Sequence, residues 1–314
     1  MTEAVGKILG VGRALGSRVV TNKDLEKTLE TDDAWVTERT GIKERRFVAE
    51  GEDCATLAAD ASKAALAHAG VGGEEIDLIL CATSTAPESM PSVACLVGDA
   101  IGAPGVGAFD VTAACAGYSY AANVAGSMLK GGAARRMLLI GADAMTKIVY
   151  QSDRSTAVLF ADGAGAVVLE RGDGESGFID HILGADGRMA QLLRAGHPGA
   201  EEKLYQNGRE VFKFAVRIFP EMVEKLLARN GVNPEEVQYV IPHQANARII
   251  QAAIRKMRIP KERVVVNLDR YGNTSAGSIP ISYPDIYEDF EPGRYVITVG
   301  FGSGLTWAAN LYRI

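Results

Sequence analysis

Two stretches decide the fold: "AGVGGEEIDLILCATS" (residues 69–84) and "NGVNPEEVQYVIPHQA" (residues 230–245) align without a gap at a constant offset of 161 residues. Gly70 falls on Gly231, Val71 on Val232, and Glu74-Glu75 on Glu235-Glu236. Ile76, Ile79 and Leu80 fall on Val237, Val240 and Ile241. Each copy reads as a helix stopped at a glycine, a short loop and a buried strand. Two weaker echoes keep the same order. "KILGVG" from Lys7 pairs with "HILGAD" from His181, and "RRMLLIGAD" from Arg135 pairs with "GRYVITVGFG" from Gly293. Three pairs in one order indicate an internal duplication. The copies part at the polar, Gly-rich "RGDGESG" (Arg171 to Gly177), a turn signal that gives expected halves of residues 1–172 and 173–314.

The segments between the strands are helical in period. "ATLAADASKAALAHAG" spaces Leu57, Ala58, Ala61, Ala64 and Ala65 along one face, and its alanines predict close packing. "ARIIQAAIRKM" spaces Ile250, Ala253, Ile254 and Met257 in the same way. Strands alternating with helices predict a duplicated α/β fold whose sheets are largely covered. Residues 184–210 are irregular and polar, and a surface excursion is expected there.

Composition excludes several classes. The chain has 314 residues, net charge −6 and a pI near 5.4. It lacks the basic footprint of a nucleic-acid binder. Its start, "MTEAVGKILGVG", has no charged region followed by an apolar core, so it does not read as a signal peptide. No run reaches the roughly 18 apolar residues of a membrane helix, so no membrane insertion and a cytoplasmic location are expected. Cys54, Cys81, Cys95 and Cys115 form no CxxC pair, which predicts reduced thiols and no metal site. Cys54, Cys81 and Cys95 read as packing residues.

Cys115 differs. It lies in "DVTAACAGYSYA" (residues 110–121), after an apolar run and ahead of a helical stretch. The N–H groups and dipole of a helix start favour a thiolate and are expected to lower its pKa. Of the four histidines (His68, His181, His197, His243), His243 alone ends a strand and opens a loop, "HQAN". The carboxyl end of a strand is where α/β sheets place ligands. Asn273, in "RYGNTSAGS", lies 158 residues beyond Cys115, the offset that also relates Arg135 to Gly293. Cys115 and Asn273 are therefore expected at similar places in the two halves. With His243 they form a Cys–His–Asn set drawn from three segments.

"TAACAG", "HQAN", "YGNTSAGS" and "GFGSGLTW" together resemble the β-ketoacyl-acyl carrier protein synthase III family, the initiating condensing enzymes of type II fatty acid synthesis. The likeness runs the whole chain and includes "DDAWVTERTGIKERR" and "SDRSTAVLFADGAGAVVLE". It implies the thiolase fold, an internally duplicated five-layer α/β/α/β/α core. It also implies that Cys115 is acylated by an acyl-CoA, and that malonyl-acyl carrier protein then loses carbon dioxide and attacks the acyl group. His243 and Asn273 would steady the enolate, and the backbone N–H groups of Cys115 and Gly304 would form the oxyanion hole. Ser303 stands where the family often has another glycine. No metal and no organic cofactor are implied.

By the same resemblance, Trp35, Arg39 and Arg154 would hold the adenine and phosphates of CoA. Gly208, Phe212 and Asn246 would line the pantetheine tunnel. Met90 would floor the acyl pocket of a partner subunit in a homodimer. Arg248 and Arg255, with Lys213 and Lys256, would dock the acidic carrier protein; Arg258 is expected on the same helical face. Three alternatives stay open: a related condensing enzyme of specialised metabolism using another acyl donor, a non-catalytic thiolase-fold partner, and a papain-like hydrolase. The last uses Cys, His and Asn in this chain order but lacks its local signature here.

Overall fold

The computed structural model describes residues 4–172 and 174–314. Residues 1–3 of the N-terminal stretch, and Asp173 at the expected start of the second half, lie outside the described residues. The first part opens with β1 (Lys7–Leu15). An antiparallel pair, β2 (Arg18–Thr21) and β3 (Glu44–Phe47), brackets α1 (Asn22–Leu25) and α2 (Asp33–Thr40). Then come α3 (Cys54–Ala69), β4 (Leu78–Ala82), α4 (Val93–Ala100), β5 (Gly107–Val111), α5 (Gly117–Lys130), β6 (Arg136–Ala144), α6 (Arg154–Ala157) and β7 (Asp162–Glu170). The second part runs through β8 (Gly177–Ala185), β9 (Leu193–Arg194), β10 (Tyr205–Gln206), α7 (Gly208–Asn230) and β11 (Val237–Pro242). It continues with α8 (Ala247–Ile254), α9 (Leu268–Tyr271), α10 (Ser278–Ser282), β12 (Tyr295–Gly302) and β13 (Thr306–Arg313).

One sheet has the order β1-β7-β6-β4-β5 and the other β8-β13-β12-β11. Matching β8 to β1, β13 to β7, β12 to β6 and β11 to β4 makes the orders the same. The directions agree as well: the first two pairings of each sheet are antiparallel and the next is parallel. Helices α3 and α4 cover the outer face of the first sheet, and α7 backed by α8 covers the outer face of the second. Between the sheets, α5 and α10 touch strands of both. This gives five layers, α/β/α/β/α, and the molecule has the thiolase fold.

The repeat is visible bond by bond. Helices α3 and α7 both end at a left-handed glycine, Gly70 at φ +66° and Gly231 at φ +62°, where a side chain would be strained. The Gly72 N–H donates to Glu75 Oε1 at 3.0 Å, and the Asn233 N–H donates to Glu236 Oε2 at 2.7 Å. The matched glutamates thus close the same turn ahead of β4 and β11. Alanine-rich α3 buries Ala58, Ala61 and Ala65 against β1, β6 and β7, the close approach its small residues predict.

Three expectations change. The helix read through Met257 stops at Ile254. Cys95 is exposed on α4, while Cys54 and Cys81 are buried, so Cys95 is not a packing residue. The excursion over residues 184–210 is irregular as expected, but it is more than surface, because Leu193 and Leu204 on it are buried.

Candidate active site

Two turns meet at the centre. Cys115 lies in a 3-10 turn, Ala114–Ala116, between β5 and α5. A second 3-10 turn, Ser275–Gly277, precedes α10 and packs against the first. Each begins on a non-glycine residue in the left-handed region, Ala114 at φ +47° and Ser275 at φ +51°. Such residues cost about 1–3 kcal/mol apiece and persist only where the surroundings impose them. Both the turns and the helices that follow lie 161 residues apart. The structural counterpart of Cys115 is therefore Ala276, not Asn273. The 158-residue offset holds only beyond a small length difference between the halves.

A buried carboxylate locks the two turns together. Asp143, at the end of β6, is fully buried. It accepts hydrogen bonds from Thr83 Oγ1 (3.2 Å), the Ser84 N–H (2.8 Å), Thr85 Oγ1 (2.9 Å) and the Ala276 N–H (3.0 Å). Burial raises its pKa. The sequence reading missed Asp143, although an aspartate inside the apolar run "RMLLIGADA" was a signal, since a buried acid needs several donors.

Asn273 is fixed from both sides. Its N–H donates to Leu159 O and its carbonyl accepts from the Ala161 N–H, each at 2.9 Å. Its side-chain Oδ1 accepts the Ser275 N–H at 2.9 Å, which leaves Nδ2 as the donor free for a ligand. His243 follows the carboxyl end of β11, and its N–H donates to Val299 O at 2.7 Å. Its ring stands edge-on to Phe301 with centroids 5.4 Å apart, and its Nδ1 lies 2.8 Å from Ser278 Oγ. Burial lowers its pKa to about 3, so the imidazole is neutral.

Cys115 is 8% exposed, and burial pushes its thiol up to about 12 despite a hydrogen bond from Ser275 that favours the thiolate. This corrects the expectation of a lowered pKa. Helix α5 does begin just beyond the sulfur, and no side chain caps its N-terminus. In the closed, dry site, desolvation outweighs that favourable end.

The Gly-rich loop after β12 presses on the nucleophile. A Cβ on Gly302 would sit 2.7 Å from the Cys115 nitrogen, so only glycine fits. Thr306 Oγ1 bonds Ala113 O at 3.2 Å and Ser303 O at 2.8 Å, latching this loop to the one before Cys115. Gly304 holds φ +133°, a conformation open to glycine.

Two cavities open at the sulfur. The first, about 170 Å³, is lined by Cys115, His243, Asn273, Gly208, Phe212 and Asn246 among others, and reaches Ser155. The second, about 410 Å³, is lined by Cys115, Ser275, Ser303, Gly304, Met145 and His197 among others. Phe160 and Leu193 border both, a dividing wall the sequence reading did not identify. Larger hollows of about 720 and 810 Å³ lie elsewhere and contain none of these groups.

Beside Ser155, the Arg154 guanidinium stacks 5.0 Å from the Trp35 ring centroid and donates to Glu30 O at 2.7 Å. At that separation the two touch directly, so a base between them requires Arg154 to swing aside. Trp35 is half-buried against the core. Arg39 is exposed, and its carbonyl accepts from Asn246 Nδ2 at 3.1 Å, which ties α2 to the start of α8. Met90 is 78% exposed and borders neither cavity of its own chain. Arg248, Arg255, Lys213 and Lys256 are exposed on neighbouring elements, with Lys213 paired to Glu210 at 2.7 Å. Arg258 leaves the expected face, because it lies past the end of α8 and pairs with Glu224 at 2.6 Å. Among the described residues no cluster of three or more His, Cys, Asp or Glu side chains could hold a metal. No helix among them is long and apolar enough to cross a membrane.

Residues 109–187 match the family described as 3-oxoacyl-[acyl-carrier-protein (ACP)] synthase III, and residues 227–314 match its C-terminal counterpart. A β-ketoacyl-[acyl-carrier-protein] synthase III from Rubrobacter xylanophilus is 70% identical over 315 residues, covering all of both chains. The crystal structure of 3-oxoacyl-[acyl-carrier-protein] synthase III from Aquifex aeolicus superposes with TM-score 0.94 at 46% identity, covering 98% of this chain and 100% of that one. The corresponding structure from Thermus thermophilus gives 0.93 at 41% identity, covering 98% of each. Identity of this order over the full length excludes the papain-like alternative: the chain belongs to the 3-oxoacyl-[acyl-carrier-protein] synthase III family.

Proposed function

We propose that this chain starts fatty acid elongation by condensing an acyl-CoA primer, acetyl by default, with malonyl-acyl carrier protein. The observation that carries the reading is the meeting of a cysteine, a neutral histidine and an oriented asparagine amide on one closed cavity, in a chain of this family. Cys115 attacks the primer's thioester carbonyl, the carbon–sulfur bond to CoA breaks, and the thiol proton ends on the departing CoA sulfur. The oxyanion is held by the N–H groups of Cys115 and Gly304. The malonyl group then loses carbon dioxide, and its carbanion attacks acyl-Cys115, releasing a 3-ketoacyl-carrier protein. Decarboxylation supplies the carbanion, so no strong base is required. Two neutral donors, His243 and Asn273, suit an enolate oxygen that gains charge only in the transition state.

The roles follow the two cavities. The narrower one, past Asn246, Phe212 and Gly208 to Arg154, Trp35 and Arg39, takes the pantetheine arm and the nucleotide of CoA. The wider one, behind Phe160 and Leu193, takes the primer's acyl chain. In a homodimer the edge strand β5, with Phe109 and nearby Met90 exposed, joins its twin, and Met90 closes the partner's acyl pocket. The repeated strand order supports dividing the chain into residues 1–172 and 173–314. Four unpaired cysteines suit the reducing cytoplasm, and the chemistry uses no cofactor.

Purified enzyme given acetyl-CoA and malonyl-acyl carrier protein releases carbon dioxide and forms 3-ketoacyl-carrier protein. A panel of straight and branched acyl-CoA primers identifies the preferred one. No product with any primer in the panel would overturn the assignment. Charge reversal at Arg248 and Arg255, which border the tunnel mouth, raises the KM for the carrier protein and leaves that for acetyl-CoA unchanged. Equal changes in both would remove the docking role.

A further inference from the structure

His243 is neutral and buried, so one ring nitrogen carries its single proton, and the chemistry depends on which. Only Nδ1 has a protein partner among the described contacts, and that partner is Ser278 Oγ at 2.8 Å. A hydroxyl has one proton to give and two lone pairs to receive. Three groups surround this one. The Gln244 N–H can only donate, at 3.2 Å, so Ser278 Oγ accepts there. Ser275 O can only accept, at 3.0 Å. His243 Nδ1 can do either, at 2.8 Å.

Two arrangements satisfy these contacts. In one, the hydroxyl proton goes to Ser275 O, so Nδ1 must carry a proton and Nε2 is bare. In the other, the proton goes to Nδ1 and Nε2 carries the hydrogen. Ser275 O decides between them, because it already accepts the backbone N–H of Ser278 itself. It needs no second donor. Nδ1 is the nearer and more basic acceptor and has no other. The Gln244 backbone cannot move to change the count. Its side-chain Nε2 is tied to Pro242 O (2.9 Å) and Val265 O (3.0 Å), and its Oε1 accepts the Asn267 N–H (3.1 Å).

The geometry points to Ser278 as a positioning residue that donates its hydroxyl proton to His243 Nδ1 and so fixes the imidazole as an Nε2–H donor facing the substrate. Ser278 is itself buried and touches no substrate, so it acts through His243. Resting on the condensation proposed above, this explains how a histidine that cannot charge still serves the enolate. It also keeps His243 from acting as a base toward Cys115, so the two half-reactions depend on it unequally.

Ring-nitrogen NMR on histidine-labelled wild-type enzyme, with the His243 signals assigned by their loss in His243→Ala, shows a protonated Nε2 and a bare Nδ1. A protonated Nδ1 would overturn the inference, and this readout needs no active variant. In Ser278→Ala, malonyl decarboxylation falls about 10–100-fold, the usual effect of losing a group that orients a working side chain. Labelling of Cys115 by acetyl-CoA is unchanged. Unchanged decarboxylation, or equal loss of both half-reactions, counts against Ser278. Should that variant not fold, the wild-type spectrum alone decides. Failure of the condensing role itself would appear separately, as no Cys115 labelling in the wild type.

Discussion

Cys115→Ser loses all covalent labelling by radiolabelled acetyl-CoA. A serine hydroxyl in this position has no means of becoming a nucleophile. The neutral His243, with a pKa of about 3, is too weak a base to activate it, and buried Asp143 is already engaged by four donors. Sulfur succeeds because it is intrinsically more nucleophilic and its acyl thioester stays reactive toward the incoming carbanion. Persistent labelling of the serine variant would place the acyl group elsewhere. The same site makes a second, pH-dependent statement. Because burial pushes the Cys115 thiol up to about 12, raising pH increases the thiolate fraction throughout the accessible range. The rate of Cys115 alkylation in the free enzyme therefore climbs through neutrality without levelling off before about pH 9. A plateau near neutral pH would show that the start of α5 outweighs burial.

The repeat made the architecture legible because a helix stop at a left-handed glycine is a local requirement written into single residues, Gly70 and Gly231. The reactive set was legible for a different reason. Cysteine, histidine and asparagine mattered only in combination, and each sits at a strand end or a helix start that the pattern already placed. What stayed hidden depends on contacts between distant segments. Asp143 gathers donors from the loop after β4 and from the turn before α10, and no spacing in the sequence announces that. The wall of Phe160 and Leu193 joins a pre-strand turn to an irregular excursion that read as mere surface. The charge state of Cys115 was misjudged because a helix start can be read from sequence, whereas the depth of burial that outweighs it cannot. The pairing of Cys115 with Asn273 slipped by three residues, since a small length difference between the halves is invisible until the 3-10 turns are seen.

His243→Ala and Asn273→Ala each slow malonyl decarboxylation by about 10²–10³-fold, the cost of one donor to a developing oxyanion. Both leave acylation of Cys115 nearly intact. The split follows from where charge appears. During acylation the negative charge grows on the primer's carbonyl oxygen, which the backbone N–H groups of Cys115 and Gly304 serve. During decarboxylation it grows on the malonyl thioester oxygen, which the Asn273 Nδ2 and the His243 ring serve. Asn273 is the cleaner probe: its backbone is held by Leu159 and Ala161 independently of the side chain, so truncation removes the donor and leaves the turn anchored. Asn273→Asp sharpens the test, since it keeps the acceptor for the Ser275 N–H while replacing the donor with an oxygen. It should decarboxylate malonyl-carrier protein no faster than Asn273→Ala, for a carboxylate facing a forming enolate repels it. An aspartate variant with activity near wild type would mean that Asn273 serves the turn and not the enolate. Equal loss of both half-reactions in the alanine variants would place His243 and Asn273 in the first chemical step.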